Sequence, residues 1–222
     1  MAYSKTIVCL SVALQGHGRS IVWKTPEGGW VRPVSDRPSG VFFPGECSYA
    51  TGAIPRLLDL MSISFDRPAK EGHQQENHIA APEPWIPSGR LAYEDLSPFV
   101  DNPVSLWETA RDNSNEWNDS IRLEAAKKFD HSLLLIKPDS LQMRVGVEGR
   151  FSRRLVVRSF FCYGDTEYSL QVTDELAQIA VLDRGLGHYK LNAHLCIGLT
   201  KPSLEDGLCR KVTLGVISQD PF

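Results

Sequence analysis

The sequence is short of the features that mark secreted, membrane-spanning and zinc-binding proteins. Its 222 residues include five cysteines, an odd number without a Cys-x-x-Cys pair, which argues against a disulfide framework and a clustered zinc site. Uninterrupted apolar runs are short, as at Leu133–Ile136, whereas a membrane helix needs about 20 apolar residues. We therefore expect a cytoplasmic chain that does not cross a membrane and keeps its thiols reduced.

Sequence motifs that are typical of known enzyme classes are missing as well. The chain has no Walker loop, no Gly-x-Ser-x-Gly, no His-Glu-x-x-His and no Gly-x-Gly-x-x-Gly that opens a helix. Basic residues are not in excess either, since 24 Lys and Arg against 27 Asp and Glu give a net charge of −3. Because binding to nucleic acid is largely phosphate neutralisation, only a local groove would attract it. We expect no metal, no cofactor and no catalytic residue.

What the sequence does contain is β-rich segments separated by turn residues. Hydrophobic residues make up 42% of the chain, which suffices for a folded core. The pattern predicts strands at Thr6–Val12, Ser20–Lys24, Trp30–Val34, Leu57–Phe65, Ser132–Lys137, Leu141–Val147, Leu155–Tyr163, Glu167–Val172, Leu191–Leu199 and Arg210–Ile217. A short helix is expected near Tyr93–Val100, and another one after Thr173, which is predicted as its N-cap.

Each part of the chain thus offers about five short strands and a helix, the element count of an OB barrel. The predicted fold class is mainly β, with two tandem OB-like small β-barrels and short α-helices. We place the first barrel, with a long loop and a helical insertion, at residues 1–129, and the second at residues 130–222. A weak echo between Trp30–Ser35 and Leu135–Ser140 favours an internal repeat.

The first candidate site lies on the strand Trp30–Val34. Trp30 and Arg32 share one face of such a strand, so Trp30 could stack on a base while Arg32 contacts a phosphate. The alternative is structural: Trp30 fills a barrel, and Arg32 pairs with a buried acid such as Asp59.

The second candidate is the polar segment His73–His78. Its side chains are of the types that hydrogen-bond base edges, and the residues that we single out are His73, Gln74, Glu76 and Asn77. His73 and Glu76 also form a possible acid/base pair. The alternative is a polar loop that pins its own backbone to the Trp30 strand.

The third candidate is the strand that carries Arg154, Arg158 and Phe160. These side chains alternate onto one face, and arginines interleaved with an aromatic residue are what single-stranded nucleic acid requires. The alternative is a solvated face over a Phe161 core. The tract Trp107–Trp117 is a fourth candidate, either as a ligand pocket or as a linker loop anchored by its tryptophans.

Several strings together resemble the bacterial dual-OB-domain family. They are Gly29–Ser35, Leu57–Leu60 followed by His73–Asn77, Leu133–Pro138 and Leu195–Leu199, and they occur in the family's order. The resemblance implies two tandem OB barrels that act as a nucleic-acid or nucleotide binding module. It also implies an association with prokaryotic defence systems.

These observations predict a non-catalytic binding module, an accessory component of a bacterial defence system. Its partners would be short or single-stranded nucleic acid, or a nucleotide, and a protein effector is a further candidate partner. The predicted ligand-binding residues are Trp30, Arg32, His73, Gln74, Glu76, Asn77, Arg154, Arg158 and Phe160. Two alternatives stay open. One is a protein-interaction scaffold, and the other is an enzyme for a nucleotide-like substrate that uses His73 and Glu76.

Overall fold

The computed structural model describes residues 2–15, 18–43, 45–107, 117–149 and 153–219. This part of the chain is mostly β and belongs to two compact units. The first unit comprises Met1–Val100 and Asp130–Ser132, and the second comprises Asp101–Phe129 and Leu133–Phe222.

The domain boundary between residues 129 and 130 stays a prediction. The domains 1–129 and 130–222 differ from the two compact units chiefly in residues 101–129, which belong to the second unit.

The first unit has six strands in the described residues, and five of them close into a barrel. Its strands are β1 (Tyr3–Gln15), β2 (Gly18–Lys24), β3 (Trp30–Val34), β4 (Asp59–Pro68), β5 (Asn77–Ala80) and β6 (Ile86–Arg90), followed by a 3-10 helix at Tyr93–Phe99. The strand order is β1-β2-β3-β5-β4, and a β1–β4 pairing closes the ring while β6 extends β4. Among the strand pairs that the structure describes in this unit, β3 and β5 run parallel and the others run antiparallel.

Closure depends on the length of β1, which pairs with two neighbours in turn. Residues Tyr3–Val8 pair with β4, and residues Val8–Gln15 pair with β2, with a register shift between Cys9 and Ser11. The barrel interior holds the aromatic and aliphatic side chains of Ile7, Cys9, Ile21, Trp23, Val31, Phe42, Met61, Ile63, Phe65 and Trp85. Every second residue of each strand is therefore directed outward.

The second unit contains the remaining strands and both α-helices. They are β7 (Ser120–Arg122), α1 (Leu123–Ala126), β8 (Leu133–Ile136), β9 (Ser140–Glu148), β10 (Arg154–Tyr163), β11 (Thr166–Val172), α2 (Glu175–Leu182), β12 (Gly187–Lys190), β13 (Ala193–Pro202) and β14 (Leu208–Ser218). The sheet order is β12-β9-β10-β11-β14-β13-β8, with β7 beside β14. The pair β11–β14 is parallel, as β3–β5 is in the first unit.

Both units share one strand order, with the first strand of the second unit in two pieces. The piece β8 pairs with β13 and the piece β9 pairs with β10, so together they make the two pairings that β1 makes alone. The interruption at Lys137–Asp139 contains Pro138, which has no N–H for a strand ladder. The predicted fold class, mainly β with OB-like units, is confirmed.

Two local predictions are wrong. The echo between Trp30–Ser35 and Leu135–Ser140 is not a repeat, because Trp30 begins the third strand of one unit whereas Leu135–Ser140 spans the break in the first strand of the other. The N-cap of α2 is Asp174 instead of Thr173. Its carboxylate accepts hydrogen bonds from the Ala177 N–H (3.1 Å) and from the Val216 N–H (2.9 Å).

Gly18 offers a test of the packing between β2 and the loop that follows β3. Here the Arg19 N–H donates to the Phe42 carbonyl (2.8 Å), and a Cβ on Gly18 would lie 2.6 Å from that same oxygen. Because a backbone atom cannot move away freely, we expect Gly18→Ala to lower the free energy of unfolding by about 1–3 kcal/mol in urea denaturation. Gly29→Ala is the control, since its nearest neighbour would be Thr25 Oγ1 at 3.4 Å. Equal effects of the two substitutions would contradict this account.

Candidate nucleic-acid interface

The outward face of β10 carries the side chains predicted from its alternation. Val157 and Phe161 pack in the core of the second unit. Arg154, Arg158 and Phe160 occupy the alternate positions and therefore lie on the opposite face of the strand. The predicted alternation is thus confirmed, whereas a role of these three residues in ligand binding stays a prediction.

Neighbouring strands extend this face with further basic side chains. Arg144 on β9 lies opposite Arg158, and His188 on β12 lies opposite Arg144. Lys190 on β12 follows His188 on the same face, beside Gln142. Directly opposed residues in a sheet point to the same side. The set Arg144, Arg154, Arg158, Phe160, His188 and Lys190 is called the basic face below.

Aromatic rings lie beside guanidinium groups on the basic face. The Arg144 guanidinium lies 5.6 Å from the centre of the Phe160 ring, and the His188 ring lies 6.3 Å from it. The Arg158 guanidinium lies 3.8 Å from the centre of the Trp117 ring, which is 37% exposed. Two aromatic surfaces of this kind can stack on unpaired bases.

Trp117 is anchored through its backbone to the edge of β11. The Ser169 N–H donates to the Trp117 carbonyl (2.9 Å), and the amide of Asn118 donates to the Glu167 carbonyl (2.8 Å). Within the predicted tract, Trp107 is buried in the core of the second unit, while residues 108–116 lie outside the described part of the chain. The sequence of this tract contains no local signal that Trp117 stacks on Arg158, because the two residues are far apart in the chain.

Arg158 differs from the other cations of the face because two carboxylates neutralise it. Its Nε donates to Glu148 (2.8 Å), and its Nη1 donates to the Ser169 carbonyl (2.7 Å) and lies 3.3 Å from Asp119. The residue is only 8% exposed. Arg158 therefore holds the stack with Trp117 in place, while the exposed Arg144, Arg154 and Lys190 supply the positive charge.

The first unit uses Arg32 in a buried polar network. Arg32 is 7% exposed. It follows Val31 on β3, so its side chain lies on the outer face of the strand while that of Val31 points into the core. Its Nη1 lies 3.2 Å from the Glu76 carboxylate and 3.4 Å from Asn77 Oδ1, and its Nη2 donates to the Ser132 hydroxyl (3.0 Å). The Ser132 hydroxyl in turn donates to Glu76. The suggested pairing of Arg32 with Asp59 is wrong, because that carboxylate pairs with Arg90 (3.0 Å).

The polar segment between β4 and β5 is folded onto this network. His73, Gln74, Glu76 and Asn77 are all buried, and Asn77 is the first residue of β5. The Asn77 amide donates to Gln74 Oε1 at 3.4 Å, and the Arg32 N–H donates to the Glu76 carbonyl at 2.8 Å. A ligand-binding role of these residues, and an acid/base role of His73 and Glu76, stay predictions.

Trp30 is half-buried at the start of β3. The Lys24 ammonium lies 4.8 Å from the centre of its ring and donates to the Phe99 carbonyl at 2.7 Å. A role of Trp30 in ligand binding likewise stays a prediction.

Two further observations concern the described residues. They contain no group of three His, Cys, Asp or Glu side chains arranged to hold a metal ion. Their helices are too short or too polar to cross a membrane.

Two units with the OB strand order, one of them with a basic and aromatic sheet face, define a protein of the tandem OB-barrel class. The chain belongs to the dual OB-containing domain family, whose sequence profile matches residues 5–216. No curated protein and no solved structure matches the chain.

The buried network predicts that Arg32 is needed for stability. Arg32→Met leaves the Glu76 carboxylate buried without its cation, so we expect the free energy of unfolding to fall by about 3–5 kcal/mol in urea denaturation. The double variant Arg32→Met/Glu76→Leu removes both charges and should recover much of that loss. A stable single variant would contradict the structural role.

The lowered pKa values of two histidines lead us to expect that the protein loses stability in acid. Burial lowers the pKa of His78 and of His194 from 6.5 to about 4. The His78 ring also forms a hydrogen bond with the Tyr3 hydroxyl and packs against Phe65. The two histidines take up protons at a higher pH in the unfolded chain than in the folded protein. The free energy of unfolding therefore decreases as the pH falls from 6.5 toward 4. We expect His78→Gln/His194→Gln to flatten this decline in thermal unfolding measured between pH 7 and pH 4.

Proposed function

We propose that this chain binds single-stranded nucleic acid on the basic face of the second unit and does not itself catalyse a reaction. The observation that carries the proposal is the placement of the exposed Arg144, Arg154 and Lys190 around Phe160 on three adjacent strands. The family supports the same class of ligand, since OB folds serve as platforms for oligonucleotides.

The chemistry of the face favours a single strand over a duplex. Phe160 and Trp117 offer ring faces, and only unpaired bases can stack on them. Neighbouring strands lie about 4.8 Å apart, so the face spans roughly 10 Å from β12 to β10. The net charge of −3 on the whole chain provides no general attraction for phosphate, so we expect the phosphate contacts to be confined to this face and the bound stretch of nucleic acid to be short.

The resemblance to bacterial dual-OB-domain proteins extends the proposal to an accessory role in a defence system in the cytoplasm. It is the sole support for that context. In such a role the second unit would hold nucleic acid while an effector acts on it.

The proposal predicts a loss of affinity when the stacking ring is removed. Phe160→Ala should weaken binding of a fluorescent single strand of about 12 nucleotides by roughly 5- to 150-fold, because one stacked base contributes about 1–3 kcal/mol. Arg144→Ala and Arg154→Ala should each lower the slope of log K against log salt by about 0.7. Fluorescence anisotropy in a salt series measures both effects.

The matched control is Arg56→Ala, which removes an exposed arginine of the first unit. It should leave affinity and salt dependence unchanged. A duplex of the same sequence should bind much more weakly than the single strand. Wild-type affinity in all three face variants, or no binding by well-folded protein, would contradict the proposal.

One observation favours the scaffold as a second candidate function. The exposed large apolar side chains of the second unit include Val147, Leu155, Leu176, Ile179 and Leu186. Val147 and Leu155 are directly opposed on β9 and β10, and α2, which carries Leu176 and Ile179, packs against the same two strands. Exposed apolar clusters of this kind mark protein contacts. If no nucleic acid binds, the scaffold becomes the preferred function.

A further inference from the structure

A groove of about 610 Å³ opens on the first unit, away from every residue assigned so far. It lies where β4 meets β5 and is bounded by the loop that follows β3 and by residues 81–84. Its apolar lining consists of Phe42, Ile79, Ala80, Ala81, Pro82 and Pro84. The volume falls within the range of about 300–1,000 Å³ that is typical of ligand clefts.

Acidic side chains outnumber basic ones around this groove. Asp36, Glu46, Asp66 and Glu83 line it together with a single cation, Arg37. That cation is already neutralised, because its Nη1 donates to Glu46 at 2.7 Å and its guanidinium packs 4.5 Å from the centre of the Phe43 ring.

Two of the four carboxylates have no cation of their own. Asp36 pairs with Arg67 at 2.6 Å, and Glu46 pairs with Arg37. In the described part of the chain, Asp66 and Glu83 form no ion pair and accept no hydrogen bond. Both are exposed at the groove, so a cation that enters there meets two uncompensated charges.

Backbone donors are scarce in the same place. Pro82 and Pro84 have no N–H, the Ala81 N–H donates to the Ser64 carbonyl (2.9 Å), and the Trp85 N–H donates to the Ser48 carbonyl (3.1 Å). An anionic ligand would meet four carboxylates at this lining, whereas a ligand with N–H donors would find acceptors. The groove therefore disfavours phosphate and suits a cation that has an apolar stem.

We propose that this groove is the docking site for a segment of a partner protein that carries arginine or lysine next to apolar residues. Charge complementarity selects the basic side chains, which reach Asp66 and Glu83. The apolar lining of the groove accommodates the apolar residues that adjoin these basic side chains in the partner segment. A peptide supplies both kinds of group in series over a cleft of this size, and its N–H groups meet the acceptor-rich rim. This surface is separate from the basic face and would let the chain hold a protein and a nucleic acid by different units.

The test selects peptides from a random displayed library on the full chain and measures their affinities by anisotropy. We expect the recovered peptides to carry arginine or lysine beside apolar residues. Their affinity should fall at least 10-fold for Asp66→Asn/Glu83→Gln. It should be unchanged for Asp165→Asn/Glu205→Gln, which removes the same charge from exposed positions of the second unit. Amide NMR shifts on peptide addition should include Gly45, Ile79 and Ala80.

Several outcomes would overturn the proposal. They are recovery of no peptide, recovery of peptides without basic residues, and equal affinity for the two double variants. Spermidine, a small polyamine, is added as a competitor of the peptides in the same anisotropy measurement. If it displaces the peptides at comparable affinity, the groove takes a small amine instead of a protein segment. Binding of the single-stranded oligonucleotide to the basic face should be the same in the two double variants, so failure here is distinguishable from failure of nucleic-acid binding.

Discussion

The pairing of the first strand with two neighbours is the constraint from which the rest of each unit follows. In the first unit β1 turns from β4 to β2 within one continuous strand, and in the second unit β8 and β9 divide these pairings. Once the strands curl in this way, alternate residues are fixed inside or outside. Val31 and Phe161 lie in the two cores, so Arg32 and Phe160 must lie on the outer faces.

The two outer faces are then used differently. In the first unit, the segment before β5 and the hydroxyl of Ser132 cover Arg32, and Glu76 balances its charge. In the second unit, carboxylates also neutralise Arg158, but Arg144 and Arg154 beside it stay exposed. A covered guanidinium with a fixed carboxylate stabilises its unit, whereas exposed cations around an aromatic ring can meet an external anion. This difference is why we propose nucleic-acid binding for the second unit.

Local patterns predicted ten of the fourteen strands in the described residues and the alternation of β10, because side-chain periodicity is a property of neighbouring residues, but they missed β5, β6, β7 and β12. The strand β5 was not predicted, because its first residue, Asn77, is polar and follows other polar residues. Asn77 is buried through its contact with Arg32, which lies 45 residues earlier in the chain. Nor did local patterns predict β12, because Gly187 and His188 follow a helix and resemble a turn. The burial of Arg32 depends on Ser132, which is 100 residues distant. The acidic groove joins four short segments of the chain, none of which has a distinctive sequence.

We propose that single-stranded nucleic acid lies across β9, β10 and β12. The backbone amide NMR spectrum of the whole chain, recorded during titration with a single strand of about 12 nucleotides, tests this placement. We expect shifts that concentrate at Arg144, Phe160 and His188 and leave the amides of Arg32 and Asn77 unchanged. Shifts centred on Arg32 and Asn77, with β9, β10 and β12 unaffected, would show that the ligand binds the first unit instead.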